Sequence, residues 1–111
     1  MRLAHTMLRV RDLQASLDFY TGFLNLREVR RKVLGDEATL VFLTDASGDY
    51  HLELTHNHDG RDYELGNQFG HIALTTHDLD TVRQVVINKG WWYRESKPTS
   101  NSRYIFVHDP D

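Results

Sequence analysis

The chain is predicted to fold as an α+β protein built from two copies of one module, each running strand, helix, then a group of strands. Two observations predict it. The segment His5-Thr-Met-Leu-Arg-Val-Arg-Asp12-Leu13 returns as His71-Ile-Ala-Leu-Thr-Thr-His-Asp78-Leu79, with His, Leu, Asp and Leu at the same internal spacing and a constant offset of 66 residues, from position 5 to position 71. A shared offset at four positions is the mark of a duplicated supersecondary unit. Each copy passes from strand-like alternation, through an acidic helix cap, to a helical apolar stripe.

The elements follow in order. Leu3 to Val10 alternates as a strand, with His5, Met7 and Arg9 on one face and Ala4, Thr6, Leu8 and Val10 on the other. Asp12 caps a helix whose stripe is Leu13, Leu17, Tyr20 and Leu24. Arg27 to Val33 and Thr39 to Leu43 read as strands joined by a turn at Gly35-Asp36, and Tyr50 to His56 as a further strand. Module one covers about residues 1–57 and is β-α-β-β-β. A polar link rich in Asp, Gly and Asn covers about 58–67. Module two covers about 68–111: a strand over Gly70 to Thr75, a helix capped by Asp78 carrying Leu79, Val82 and Val86 and stopped by Gly90, then strands over Trp91 to Arg94 and Arg103 to His108. This module is β-α-β-β. Its last strand is expected immediately after the turn-forming Asp109-Pro110-Asp111, which reads as leading onward, whereas Met1 reads as a natural start.

With 111 residues the chain is expected to form one domain. A net charge of −3 gives no general attraction to nucleic acid. The basic run Arg27 to Lys32, interrupted by Glu28 and Val29, reads as a solvated strand face. No apolar run is long enough for a membrane span and no leader pattern is present, so the expected location is cytoplasmic. With no cysteine, any metal must be held by imidazole, carboxylate and water.

A lone strand histidine is usually structural. His5 and His71, however, occupy equivalent positions, and symmetric modules can turn two imidazoles toward one point. Glu53, between Leu52 and Leu54, leaves the apolar face of its strand and can join them in an N₂O set suited to divalent Ni, Co, Zn, Mn or Fe. Arg9 lies four residues beyond His5, and Asn57 four beyond Glu53, about 13 Å along a strand. A cation and an amide at that distance suit the carboxylate or α-amino-acid end of a ligand, although ordinary surface polarity would look the same. His56, His58, His77 and His108 have no repeat partner and receive no role. Of Trp91 and Trp92, one is expected in the core and the other at the surface.

Taken together, His5-Thr-Met-Leu-Arg-Val, Ser16-Leu-Asp-Phe-Tyr20, Leu52-Glu-Leu-Thr55 with Asn57, Tyr63-Glu-Leu-Gly66, Phe69-Gly-His-Ile-Ala73 and Asp109-Pro-Asp111 resemble bacterial glyoxalase I, the lactoylglutathione lyases of the vicinal oxygen chelate superfamily. The resemblance runs through nearly the whole chain. It implies paired βαβββ modules, a homodimer that shares its active sites, and four metal ligands in the order His, Glu, His, Glu. His5, Glu53 and His71 match the first three; the fourth lies in a Gly-Tyr-x-Ile-Glu stretch after Asp-Pro-Asp, outside residues 1–111. Arg9 and Asn57 match positions that hold the γ-glutamyl end of glutathione. The chain lacks the insertions of zinc-dependent members, which implies Ni(2+) or Co(2+), with Zn(2+) the alternative. The implied reaction isomerises the methylglyoxal–glutathione hemithioacetal to S-lactoylglutathione, with a glutamate such as Glu53 moving the proton. Trp91-Trp92 departs from the small residues that relatives carry there. Alternatives on the same fold are an epimerase, an extradiol dioxygenase, a fosfomycin-modifying transferase or a non-catalytic small-molecule-binding protein.

Overall fold

A computed structural model describes residues 1–111, which divide into two compact units: Met1–Glu64 with Asp109–Asp111, and Leu65–His108.

The first unit is a four-stranded sheet with a helical crossover. Strands β1 (His5–Arg9), β2 (Arg27–Leu34), β3 (Ala38–Thr44) and β4 (His51–Asn57) stand in the order β1-β4-β3-β2. β2, β3 and β4 form an antiparallel meander, whereas β1 runs parallel to β4. That parallel pair needs a long connection, and helix α1 (Leu13–Leu17) begins it. Asp12 caps α1 by accepting from the Ala15 amide at 3.0 Å, as expected. The alternation of the strands places Val10, Leu54, Val41 and Leu43 on one face, each 1% exposed or less, and α1 packs on β4. Burying such side chains contributes roughly 2 kcal/mol each. β2 is exposed along its whole length, and its Arg27, Arg30, Arg31 and Lys32 guard the sheet edge.

The sequence predicts one continuous helix from Leu13 to Leu24. Instead, α1 gives way to a π-helical segment at Asp18–Phe23. The Thr21 hydroxyl donates to the Leu17 carbonyl at 2.6 Å, and the Leu24 amide reaches back to Phe19 at 3.0 Å, five residues away. The widened turn buries the adjacent Phe19 and Tyr20 together, which a 3.6-residue stripe does not do.

The Asp109–Asp111 segment docks on this unit. The Tyr20 hydroxyl donates to Asp109 at 2.5 Å, and Asp111 accepts from the Arg11 amide at 3.0 Å and the Ser16 hydroxyl at 3.4 Å.

The second unit holds helix α2 (Leu79–Asn88) and a two-stranded antiparallel ribbon of β5 (Tyr93–Glu95) and β6 (Ile105–Val107). Asp78 caps α2 through the Thr81 amide at 3.0 Å, and Gly90 follows its end at a φ of +68°, the left-handed turn that glycine favours. Trp91 is half-buried beneath the Lys89 ammonium, while Trp92 lies at the surface stacked on His108. The predicted strand at Gly70 to Thr75 is irregular chain instead. Its counterpart β1 is held by its ladder with β4, whereas residues 70–75 pair with no strand. No helix is long and apolar enough to cross a membrane.

Burial, and then the hydrogen bond to Asp109, raise the Tyr20 pKa well above its ordinary value of 10.0. The folded chain therefore keeps this proton at a pH where the unfolded chain loses it, and stability falls as pH rises past 10. Tyr20→Phe should lower stability at pH 8 by about 1 kcal/mol. In urea titrations from pH 8 to 11, the gap to wild type should close above pH 10.

Candidate functional site

The site grows from the β1–β4 ladder. In the parallel register His5 lies opposite His51 and Met7 opposite Glu53, so His5 and Glu53 are diagonal neighbours on one face. His5 Nε2 stands 3.0 Å from Glu53 Oε2. On β3, Phe42 lies opposite Glu53 and packs edge-on against His5 at 5.6 Å between ring centres. The Arg30 guanidinium lies over the Phe42 ring, 4.1 Å from its centre. Together these neighbours leave Glu53 only 7% exposed. Its Oε1 accepts a hydrogen bond from the Thr55 hydroxyl at 2.9 Å.

A buried carboxylate is costly unless a cation or several donors answer it. Glu53 has one hydroxyl and one imidazole, and no arginine or lysine pairs with it. That donor set fits a divalent cation: imidazole nitrogen and carboxylate oxygen already side by side, with the carboxylate's second oxygen fixed from behind.

His71 is in the second unit, exposed, with its ring edge-on to Phe106 at 5.5 Å. The structure thus brings together His5 and Glu53 of the three expected ligands, and no three His, Asp or Glu side chains form a cation-binding group by themselves. Arg9 stands on the His5 face of β1, opposite Thr55 in register, exposed and without a carboxylate partner. Asn57 ends β4 and lines a cavity of about 380 Å³ with Val10, Arg11, Gly60, Asp62 and Tyr63. Sequence reasoning missed two contributors. Thr55 shares Glu53's face two residues on, a visible signal that alternation alone did not convert into a hydrogen bond. Tyr63 holds the Asn57 amide from a loop, where periodicity gives no signal.

Residues 2–111 match the family model described as the Glyoxalase/Bleomycin resistance protein/Dioxygenase superfamily. A lactoylglutathione lyase of Neisseria meningitidis serogroup A is 42% identical over an alignment covering 100% of this chain and 85% of its own length. One from Escherichia coli O157:H7 is 38% identical, covering 100% and 87%. Among solved structures, the trypanothione-dependent glyoxalase I of Leishmania major superimposes with a TM-score of 0.80 at 29% identity, over 98% of this chain and 81% of that one.

Thr55→Val keeps the side-chain shape and removes the donor behind Glu53. Divalent-metal affinity, measured by competition against a chromophoric chelator, should fall at least about tenfold. An unchanged affinity would take Thr55 out of the site.

Proposed function

The chain belongs to the Glyoxalase/Bleomycin resistance protein/Dioxygenase superfamily, and from that premise we propose that it is a lactoylglutathione lyase acting in methylglyoxal detoxification. The observation that carries the reading is the His5–Glu53 pair, an imidazole beside a nearly buried carboxylate that no arginine or lysine neutralises. It stands in a chain that is 42% identical to a lactoylglutathione lyase over 85% of that relative's length.

In the reaction the carbon bearing sulfur loses its hydrogen, the neighbouring carbonyl carbon gains one, and the hydroxyl and carbonyl oxygens exchange character. Glu53 is the catalytic residue: its carboxylate accepts the proton from the first carbon and returns it to the second. Thr55 holds the carboxylate plane during both transfers. Phe42, opposite Glu53 on β3 and 4% exposed, limits the access of water to the carboxylate. Arg9 binds the carboxylate of the glutathione tail, and Asn57 hydrogen-bonds the same end. His5, Glu53 and His71 hold a divalent cation, Ni(2+) or Co(2+) with Zn(2+) the alternative. When bound, it supplies Lewis acidity that lowers the cost of negative charge developing on the substrate oxygens.

His71 reaches the centre from a second copy of the chain, so the working form is a homodimer with shared sites, and the two units are two modules of one domain. Support comes from burial. Val86 is the one large side chain of the second unit that is fully buried, whereas Leu65, Phe69, Ile72, Leu74, Trp92 and Tyr104 are exposed. So much apolar surface is more than a lone unit normally leaves in water.

With Ni(2+) added, the protein should convert the hemithioacetal to thioester, followed by absorbance. His5→Ala and His71→Ala should each abolish turnover and metal uptake. Refolding the two variants together should restore about one quarter of wild-type activity, since half the dimers are mixed and each holds one intact site. Light scattering should give twice the chain mass. Failure of the mixture to recover would remove the shared site.

A further inference from the structure

We infer that Tyr63 and Arg11 are positioning residues that set the Asn57 amide for the amino-acid end of the substrate. The inference rests on the lactoylglutathione lyase reading and adds to it two residues that the reading does not use.

Asn57 is the last residue of β4, opposite Ala38, and after one more backbone bond, from His58 to the Glu37 carbonyl at 2.8 Å, the chain leaves the sheet. A side-chain amide at a strand end samples several rotamers unless something holds it. The Tyr63 hydroxyl does so, accepting from Asn57 Nδ2 at 2.7 Å. Tyr63 itself sits in irregular chain with little local structure to fix it.

The Tyr63 backbone amide donates to Asp62 Oδ1 at 2.9 Å, and the longer-range ties come from one guanidinium. Arg11, just past β1, donates Nη2 to the Tyr63 carbonyl at 2.7 Å and Nε to the Asp62 carboxylate, and it donates Nη1 to Asp111 Oδ1 at 3.1 Å. Its backbone amide also reaches Asp111 Oδ1, at 3.0 Å, and its guanidinium carbon lies 5.7 Å from the Tyr63 ring centre. One planar fork thus ties the end of β1, the loop carrying Tyr63 and the Asp109–Asp111 segment. A lysine ammonium cannot reproduce that fork. The Asp62 leg by itself is worth little, because that carboxylate is 85% exposed. The Asp111 and carbonyl legs carry the restraint, since the Asp111 side chain is 12% exposed and a carbonyl cannot drift from the chain it belongs to.

The arrangement predicts which kinetic constant moves. The cavity edged by Asn57, Arg11 and Tyr63 lies on the Asn57 side of the strand face, away from the His5–Glu53 pair. Loosening Asn57 weakens grip on the substrate's far end and leaves the proton transfer alone.

The experiment compares wild type, Tyr63→Phe and Arg11→Lys on two hemithioacetals of methylglyoxal. One is made with glutathione, the other with cysteinylglycine, which lacks the γ-glutamyl group. Each variant should raise KM for the glutathione adduct about fivefold, the effect of losing one ordered hydrogen bond. Its kcat should stay within about twofold of wild type, and its KM for the cysteinylglycine adduct should match wild type. Calorimetric titration of metal-free protein with glutathione should show the same fivefold rise in Kd. Equal losses on both adducts would mean that Tyr63 and Arg11 act only on stability, and overturn the inference. Unchanged KM and Kd would overturn it too. Absence of turnover by wild type would instead defeat the proposed activity, and the glutathione titration would then decide the role of Tyr63: a Kd that the variants do not move, or no binding at all, rejects it.

Discussion

The parallel pairing of β1 with β4 is the constraint on which the first unit depends. These strands are the first and last of the module, and their register sets His5 beside Glu53. The pairing is specified by alternation on both strands. Val10 and Leu54 must share the buried face, which obliges His5, Arg9, Glu53 and Asn57 to share the other. A slip of one residue would turn Glu53 into the apolar core and Leu54 out to solvent, at a cost of several kcal/mol. Site chemistry and core packing are therefore two consequences of one register.

Much of this was legible in the sequence because it is written in short-range patterns. Asp12 and Asp78 cap the helices they were expected to cap, and Gly90 ends the second one. The faces of β1 and β4 follow from side chains alternating every residue. The chain's membership of the superfamily, and the fold that goes with it, agree with the resemblance carried by its motifs. What could not be read depends on tertiary detail. Thr21 captures a carbonyl and turns the end of a predicted α-helix into a π segment. Thr55 and Tyr63 act through hydrogen bonds whose partners are fixed only once register and loop path are known. The predicted strand at residues 70–75 failed for a related reason: strand propensity describes a willingness to pair, and pairing needs a neighbour.

The two units make the same point about burial. Their opening segments repeat His, Leu, Asp and Leu at one spacing, yet nearly all fully buried side chains belong to the first. An apolar pattern specifies which side of an element seeks cover, and leaves open what covers it. Ile72 and Leu74 are left 42% and 49% exposed, which is why a second copy enters the proposed assembly.

Glu53 also shows where stability and function diverge. A leucine in its place, opposite Phe42, would carry no desolvation cost, and buried ionisable groups are often replaceable by apolar ones with a gain in stability. The fold instead keeps a carboxylate there, answers it with one hydroxyl and one imidazole, and leaves it short of positive charge. The same face is rich in cations, but Arg30 is spent on the Phe42 ring and Arg9 stands too far along β1 to neutralise Glu53. A side chain of this kind is poorly explained by packing. It is well explained if the missing charge arrives from outside the chain and the carboxylate, so held, is used to move a proton.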